Sequence, residues 1–158
     1  MGDDDTWNRL EQLLAGVETA GPVKAEWVAR AEAELGLTLP RSYRLFLERF
    51  GACVLNGVEV AGIDPMRIDE SEPPRWTDIV RATKGLWRRH VPRHLLFVSD
   101  DGGDYKFCLD TSVRDATGEC PVVVLGPGME GEAIAADFTE FLARAAKNDD
   151  LFTGPPWK

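Results

Sequence analysis

The sequence predicts an α+β domain in which N-terminal helices precede a mainly antiparallel sheet with flanking helices. Three observations predict it. Up to Phe50, apolar side chains recur at spacings of three and four in three separate segments. From Ala52 the chain changes to short valine-rich runs broken by turn residues, and near its end a capped apolar segment returns to helical spacing. With 158 residues, 44% of them hydrophobic, the chain has the length of one domain and enough apolar side chain to fill one core, so residues 1–158 are read as a single unit.

After the acidic start MGDDD, Trp7, Leu10, Leu14 and Val17 put one apolar stripe on a first helix from Thr6 to Val17, which Gly21 and Pro22 end. A second helix runs from Val23 to Leu35 with Trp27, Val28, Ala31 and Leu35 inward, and Gly36 suits the left-handed position beyond its end. Pro40 opens a third, in which Tyr43, Phe46, Leu47 and Phe50 share a face until Gly51. The stretch ACVLNGVEVAGI reads as a hairpin turning at Asn56-Gly57. A surface loop rich in proline and acid comes after it, DPMRIDESEPPRW, with Trp76 at its end. Ile79, Val80, Thr83, Leu86 and Trp87 mark a fourth helix from Thr77 to His90, which Pro92 keeps from continuing. Three strand-like runs come next, LLFVS, YKFCLDT and PVVVLG, the middle one alternating as a half-buried strand. A closing helix is capped by Asp137, with Glu140 three residues on and Phe138, Phe141, Leu142 and Ala145 inward.

Charge narrows the function. Eighteen Lys and Arg against 27 Asp and Glu leave a net charge of -9, which argues against direct binding of nucleic acid and for a basic protein partner. The cysteines Cys53, Cys108 and Cys120 are odd in number and lack CxxC spacing, and no apolar signal segment opens the chain. A reducing cytoplasm is the expected compartment. No apolar run reaches the roughly 20 residues of a membrane span.

Motifs for chemistry are few. Gly126, Gly128 and Gly131 match GxGxxG, with Asp149 about 20 residues on, yet the next helix begins too late for a dinucleotide loop, and a Gly-Pro turn is the simpler reading. The stretch SDDGGDYKFCLD fails as a calcium loop, since Gly102 and Thr111 stand where ligands belong. Magnesium on Asp100, Asp101 and Asp104 lacks a companion phosphate-binding loop, whereas Asp and Gly are the residues a tight turn needs. His90 and His94 have a zinc-like spacing without paired cysteines, and the three cysteines lie in or beside apolar runs, where a thiol acts as a small hydrophobe. No enzyme, metal or cofactor is expected.

Three blocks taken together resemble the SUKH superfamily, to which a yeast cell-wall-synthesis regulator family and many bacterial proteins belong. The first is the helix pair carried by Glu32, Leu35, Gly36, Leu39, Pro40, Tyr43, Phe46 and Leu47. The second is Asp101, Gly102, Gly103 and Asp104 before Cys108, Leu109 and Asp110, and the third is Phe138, Phe141 and Leu142. The resemblance spans Ala31 to Leu142. It departs at FGAC, where the family often has Asn-Gly-Gly, and at Ser99, where it often has glycine. The resemblance implies a non-catalytic binding domain whose bacterial members look like immunity proteins against polymorphic toxins, many of them nucleases or deaminases. A toxin acting on nucleic acid has a basic active face, to which an acidic inhibitor is steered. The expected contact residues are Asp100, Asp101 and Asp104 in the turn and Glu70, Glu72 and Trp76 in the acidic loop, although packing of Trp76 onto the fourth helix is the simpler reading of that residue. The alternative is a regulatory or scaffold module that binds cellular partners.

Overall fold

The computed structural model describes residues 3–67 and 69–147, and its helices and antiparallel sheets agree with an α+β architecture. Asp149 lies outside the described residues. The first helix, α1 (Asp3–Leu13), is shorter than its apolar stripe suggests: Gly16 sits at φ +75° and turns the chain before Val17. Beyond that turn lies an unexpected two-residue strand, β1 (Glu18–Thr19), paired with β2 (Cys53–Leu55). Two residues are too few to show a period.

Helix α2 (Ala25–Leu35) starts two residues later than expected and ends as expected, with Gly36 at φ +67° donating its N–H to the Glu32 carbonyl at 2.8 Å. The turn into α3 (Arg41–Phe50) explains the first family block. One Glu32 carboxylate oxygen accepts the Leu39 N–H at 2.8 Å and the Arg44 guanidinium at 3.0 Å, tying the two helices at their corner. Pro40 offers no side-chain cap, and Glu119, from a distant loop, replaces it by accepting from the Ser42 N–H at 3.1 Å and Ser42 Oγ at 2.5 Å. Tyr43 is fully buried and donates its hydroxyl to the Ala61 carbonyl at 2.7 Å.

Strands β2 and β3 (Val58–Val60) form the expected hairpin, with Asn56 and Gly57 both at positive φ. After the loop comes a single 3₁₀ turn, Arg75–Thr77, then α4 (Ile79–Trp87), capped by Asp78, whose Oδ1 accepts the Arg81 N–H at 3.1 Å. The helix stops at Trp87, short of His90, which lies at φ +68°.

The second sheet holds β4 (Leu95–Asp100), β5 (Lys106–Asp110), β6 (Val122–Gly126) and β7 (Met129–Ala135), neighbours in chain order. Strand β7 was not expected. The Gly-Pro turn is there, but it is a hairpin turn, and the GxGxxG glycines fall on β6, the turn and β7 with no helix among them. Exposed Glu130 and Glu132 give β7 the composition of a protected edge: Glu132 Oε1 accepts the Glu130 N–H at 2.6 Å, and Arg144 Nη1 reaches the Ile134 carbonyl at 2.5 Å. The half-buried reading of β5 is also corrected. Phe107, Cys108 and Leu109 are all fully buried, and successive residues point to opposite faces, so both faces are covered. On one of them Phe107 meets Phe141 of α5 (Phe138–Ala146) at 5.9 Å between ring centroids. Asp137 caps α5 as expected, its Oδ1 accepting the Glu140 N–H at 2.9 Å.

The outer edge of β4 is closed. Ala61 N–H donates to the Val98 carbonyl at 2.8 Å, the Phe97 N–H to Thr83 Oγ1 of α4 at 3.2 Å, and Ser99 Oγ to the Glu59 carbonyl at 2.8 Å. Ser99 thus joins the two sheets beside the acidic turn.

Candidate protein-binding face

The turn between β4 and β5 uses its own carboxylates. Asp100 Oδ1 accepts the Gly102 N–H at 2.9 Å, while Asp101 Oδ1 accepts from Gly103 at 2.8 Å and from Tyr105 at 3.2 Å. Gly102 takes a φ of +81° that side-chain-bearing residues rarely adopt. Asp100 is only 17% exposed, and its Oδ2 lies 3.0 Å from Arg75 Nη1 and 3.8 Å from Lys106 Nζ. Among the three aspartates, Asp104 is the one that stands exposed.

The Arg75–Asp100 pair brings together two segments that are separate in sequence. Arg75, Trp76, Glu59, Phe97 and Asp100 line one groove of about 170 Å³. Glu72, Pro73 and Pro74 line a second, of about 230 Å³, which shares Arg75 and reaches Lys106 and Arg89. Trp76 is half-buried against the core and still borders the first groove, its carbonyl held by the Gly62 N–H at 2.9 Å. Glu72, Trp76 and Asp100 therefore share one rim around Arg75. Glu70 does not line it: exposed, it lies 4.0 Å from Arg67. Glu59 and Arg75 are additions that no local pattern announces, since only the fold brings them to the turn, whereas Lys106 follows the turn and faces Asp100 in the same hairpin.

Nucleophile and metal readings fare differently. Burial pushes the thiols of Cys53 and Cys108 up to about 12 and raises that of Cys120 as well, and all three are reduced and buried. The folded state holds these protons longer than the unfolded chain. Their stabilisation is complete below the ordinary thiol range and is lost as pH rises towards 12. Iodoacetamide at about pH 8 is expected to leave all three unmodified in the folded protein and to label all three in denaturant; rapid labelling of one in the folded protein would expose an activated thiol. His90 and His94 are exposed, with His94 Nε2 3.7 Å from Asp110 Oδ1. Among the described residues, no group of three or more His, Cys, Asp or Glu could hold a metal ion, and none of their helices is long and apolar enough to cross a membrane.

A SUKH family model described as SMI1-KNR4 cell-wall matches residues 5–147. The chain belongs to the SMI1-KNR4 family. The match begins before Ala31 and so takes in most of α1 and all of β1, the part of the chain in which no family block was identified. In this SMI1-KNR4 domain the first block is a packing device, built on Glu32, Tyr43 and Phe46, whereas the DDGGD block shapes the turn between β4 and β5. Domains of this family are generally non-catalytic, and membership fits immunity-protein or cell-wall-regulator roles.

Proposed function

We propose that this SMI1-KNR4 protein is an immunity protein that binds a cognate polymorphic toxin in the cytoplasm and blocks its active face, with a nuclease or deaminase the best fit to its charge. Family membership and a net charge of -9 support the reading. The observation that carries it is the rim: Arg75 fastens the loop bearing Glu72 and Trp76 to the DDGGD turn, so that carboxylates from two segments flank an aromatic side chain. A half-buried tryptophan ringed by charge has the composition of a binding anchor. Asp100 holds the two segments together, and the exposed Glu72 and Asp104 supply the outward charge.

Co-expression with the toxin encoded beside it should restore growth, and toxicity undiminished by the protein would overturn the proposal. Glu72→Gln with Asp104→Asn should slow association with that toxin by about tenfold at low salt while leaving the melting temperature unchanged. The difference should shrink at about 0.15 M salt, where the Debye length is about 8 Å. Equal association rates at low salt would remove the rim from the interface. The cell-wall description of the family favours a second reading, a regulatory scaffold. Capture of a cell-wall synthesis component without rescue from any toxin would select it.

A further inference from the structure

Between Asp78 and Asp100 the chain contains no carboxylate, yet this stretch holds Arg81, Lys84, Arg88, Arg89 and Arg93 together with both of its histidines. The rest of the molecule is correspondingly more acidic than the net -9. Among the described residues, none of Lys84, Arg88, Arg89 and Arg93 pairs with a carboxylate. Three of them rim a groove of about 440 Å³ between the C-terminal ends of α4 and α2: Lys84, Arg88 and Arg93 stand around Trp87, opposite Leu35 and Gly36. Glu34 is the one acid in its lining. The floor is preorganised, because Trp87 Nε1 donates to the Leu95 carbonyl at 3.0 Å and the Arg93 guanidinium lies 5.5 Å from its ring centroid.

We infer that this groove is a second docking surface and that its occupant is a short acidic protein segment carrying an apolar side chain. The cationic rim matches carboxylates, and the tryptophan and leucine floor takes an apolar group out of water. Nucleic acid fits less well, since Glu34 lines the groove itself and the chain as a whole carries a net charge of -9. Relief of helix dipoles accounts for a cation at the end of α4, and α2 has none in its own last turn, but it requires neither Arg93 stacked on Trp87 nor the groove. This groove shares no lining residue with the two grooves around Arg75, so its occupancy does not depend on whether the partner there is a toxin.

The test is fluorescence anisotropy at low salt on the full chain with three labelled probes: a peptide alternating glutamate and leucine, the same peptide with glutamine for glutamate, and an oligothymidine. The acidic peptide should bind most tightly, and Arg88→Glu should weaken it by about tenfold. Arg9→Glu makes the same charge change at an exposed position on α1 and should alter affinity less than about twofold. Arg93→Glu should match Arg88→Glu if its melting temperature is retained; if it fails to fold, Arg88→Glu alone decides, because that side chain is exposed. Tighter binding of the oligothymidine, equal binding of the glutamine peptide, or equal loss in Arg9→Glu would each overturn the assignment.

Discussion

Gly62→Ala is expected to lose at least about 4 kcal/mol of stability, enough to unfold a protein of ordinary marginal stability. An added Cβ would lie 1.7 Å from the Gly51 carbonyl oxygen, 2.9 Å from its carbon and 3.0 Å from Leu47 Cδ2. Backbone movement cannot relieve this clash. The Gly62 N–H is bonded to the Trp76 carbonyl at 2.9 Å, its carbonyl accepts the Ile79 N–H at 2.8 Å, and the opposing Gly51 carbonyl accepts the Ile63 N–H at 2.9 Å. Gly51 is itself trapped, at φ +77° with its own missing Cβ 2.5 Å from the Gly21 carbonyl. The same crossing holds the segment that carries Trp76, so a tolerated variant should also misplace the rim. Gly85→Ala is the contrast: a Cβ there meets nothing within 4 Å on α4, and helix propensity predicts a gain of up to about 1 kcal/mol. Urea melts of both variants measure the difference, and a Gly62→Ala loss below about 1 kcal/mol would show that the crossing is loose.

Phe46→Ala should be nearly as damaging, at about 3–5 kcal/mol. Phe46 is fully buried, and its ring meets Phe138 edge-on at 5.1 Å, Tyr43 at 5.9 Å and Phe50 at 6.2 Å. Truncation removes one of the two α3 rings that pack on Phe138 of α5, the other being Tyr43 at 4.9 Å, and the neighbouring rings are too rigid to close the cavity. Phe50, at 8% exposure on the margin of the same cluster, should lose less when truncated. A double-mutant cycle with Phe138→Ala should leave a coupling of about 0.5–1.5 kcal/mol, and additive losses would mean that the two rings pack independently.

The elements that the sequence announced are those whose signals are local. The helices α2, α3 and α5 are written in a 3.6-residue period, with Gly36, Gly51 and Asp137 at their ends, and the β2–β3 hairpin in Asn56-Gly57. What the sequence did not announce had no such signal. Strand β1 is too short to show a period, and β7 carries glycine and glutamate because an edge must resist further pairing. Alternation along β5 suggested one wet face, but the helices around the sheet decide that, and both faces are covered.

The candidate face divides in the same way. Turn-forming Asp and Gly between two strands identified the DDGGD segment, and an acidic, proline-stiffened loop ending in tryptophan identified the second. Which carboxylates remain available to a partner was settled across the fold where Arg75 neutralises Asp100, and within the segments themselves elsewhere: Lys106 faces Asp100 in the same hairpin, backbone N–H groups of the turn occupy Asp101 Oδ1, and Glu70 stands beside Arg67. By itself the sequence determined the helix pattern, the caps, the hairpin turns and the acidic character of the chain, because each depends on neighbours a few residues away. Only the tertiary structure decided the close crossing at Gly51 and Gly62, the capping of α3 by Glu119, the joining of the two acidic segments at Arg75 and the cationic groove at Trp87, because these depend on groups that lie far apart along the chain and meet only when the core closes.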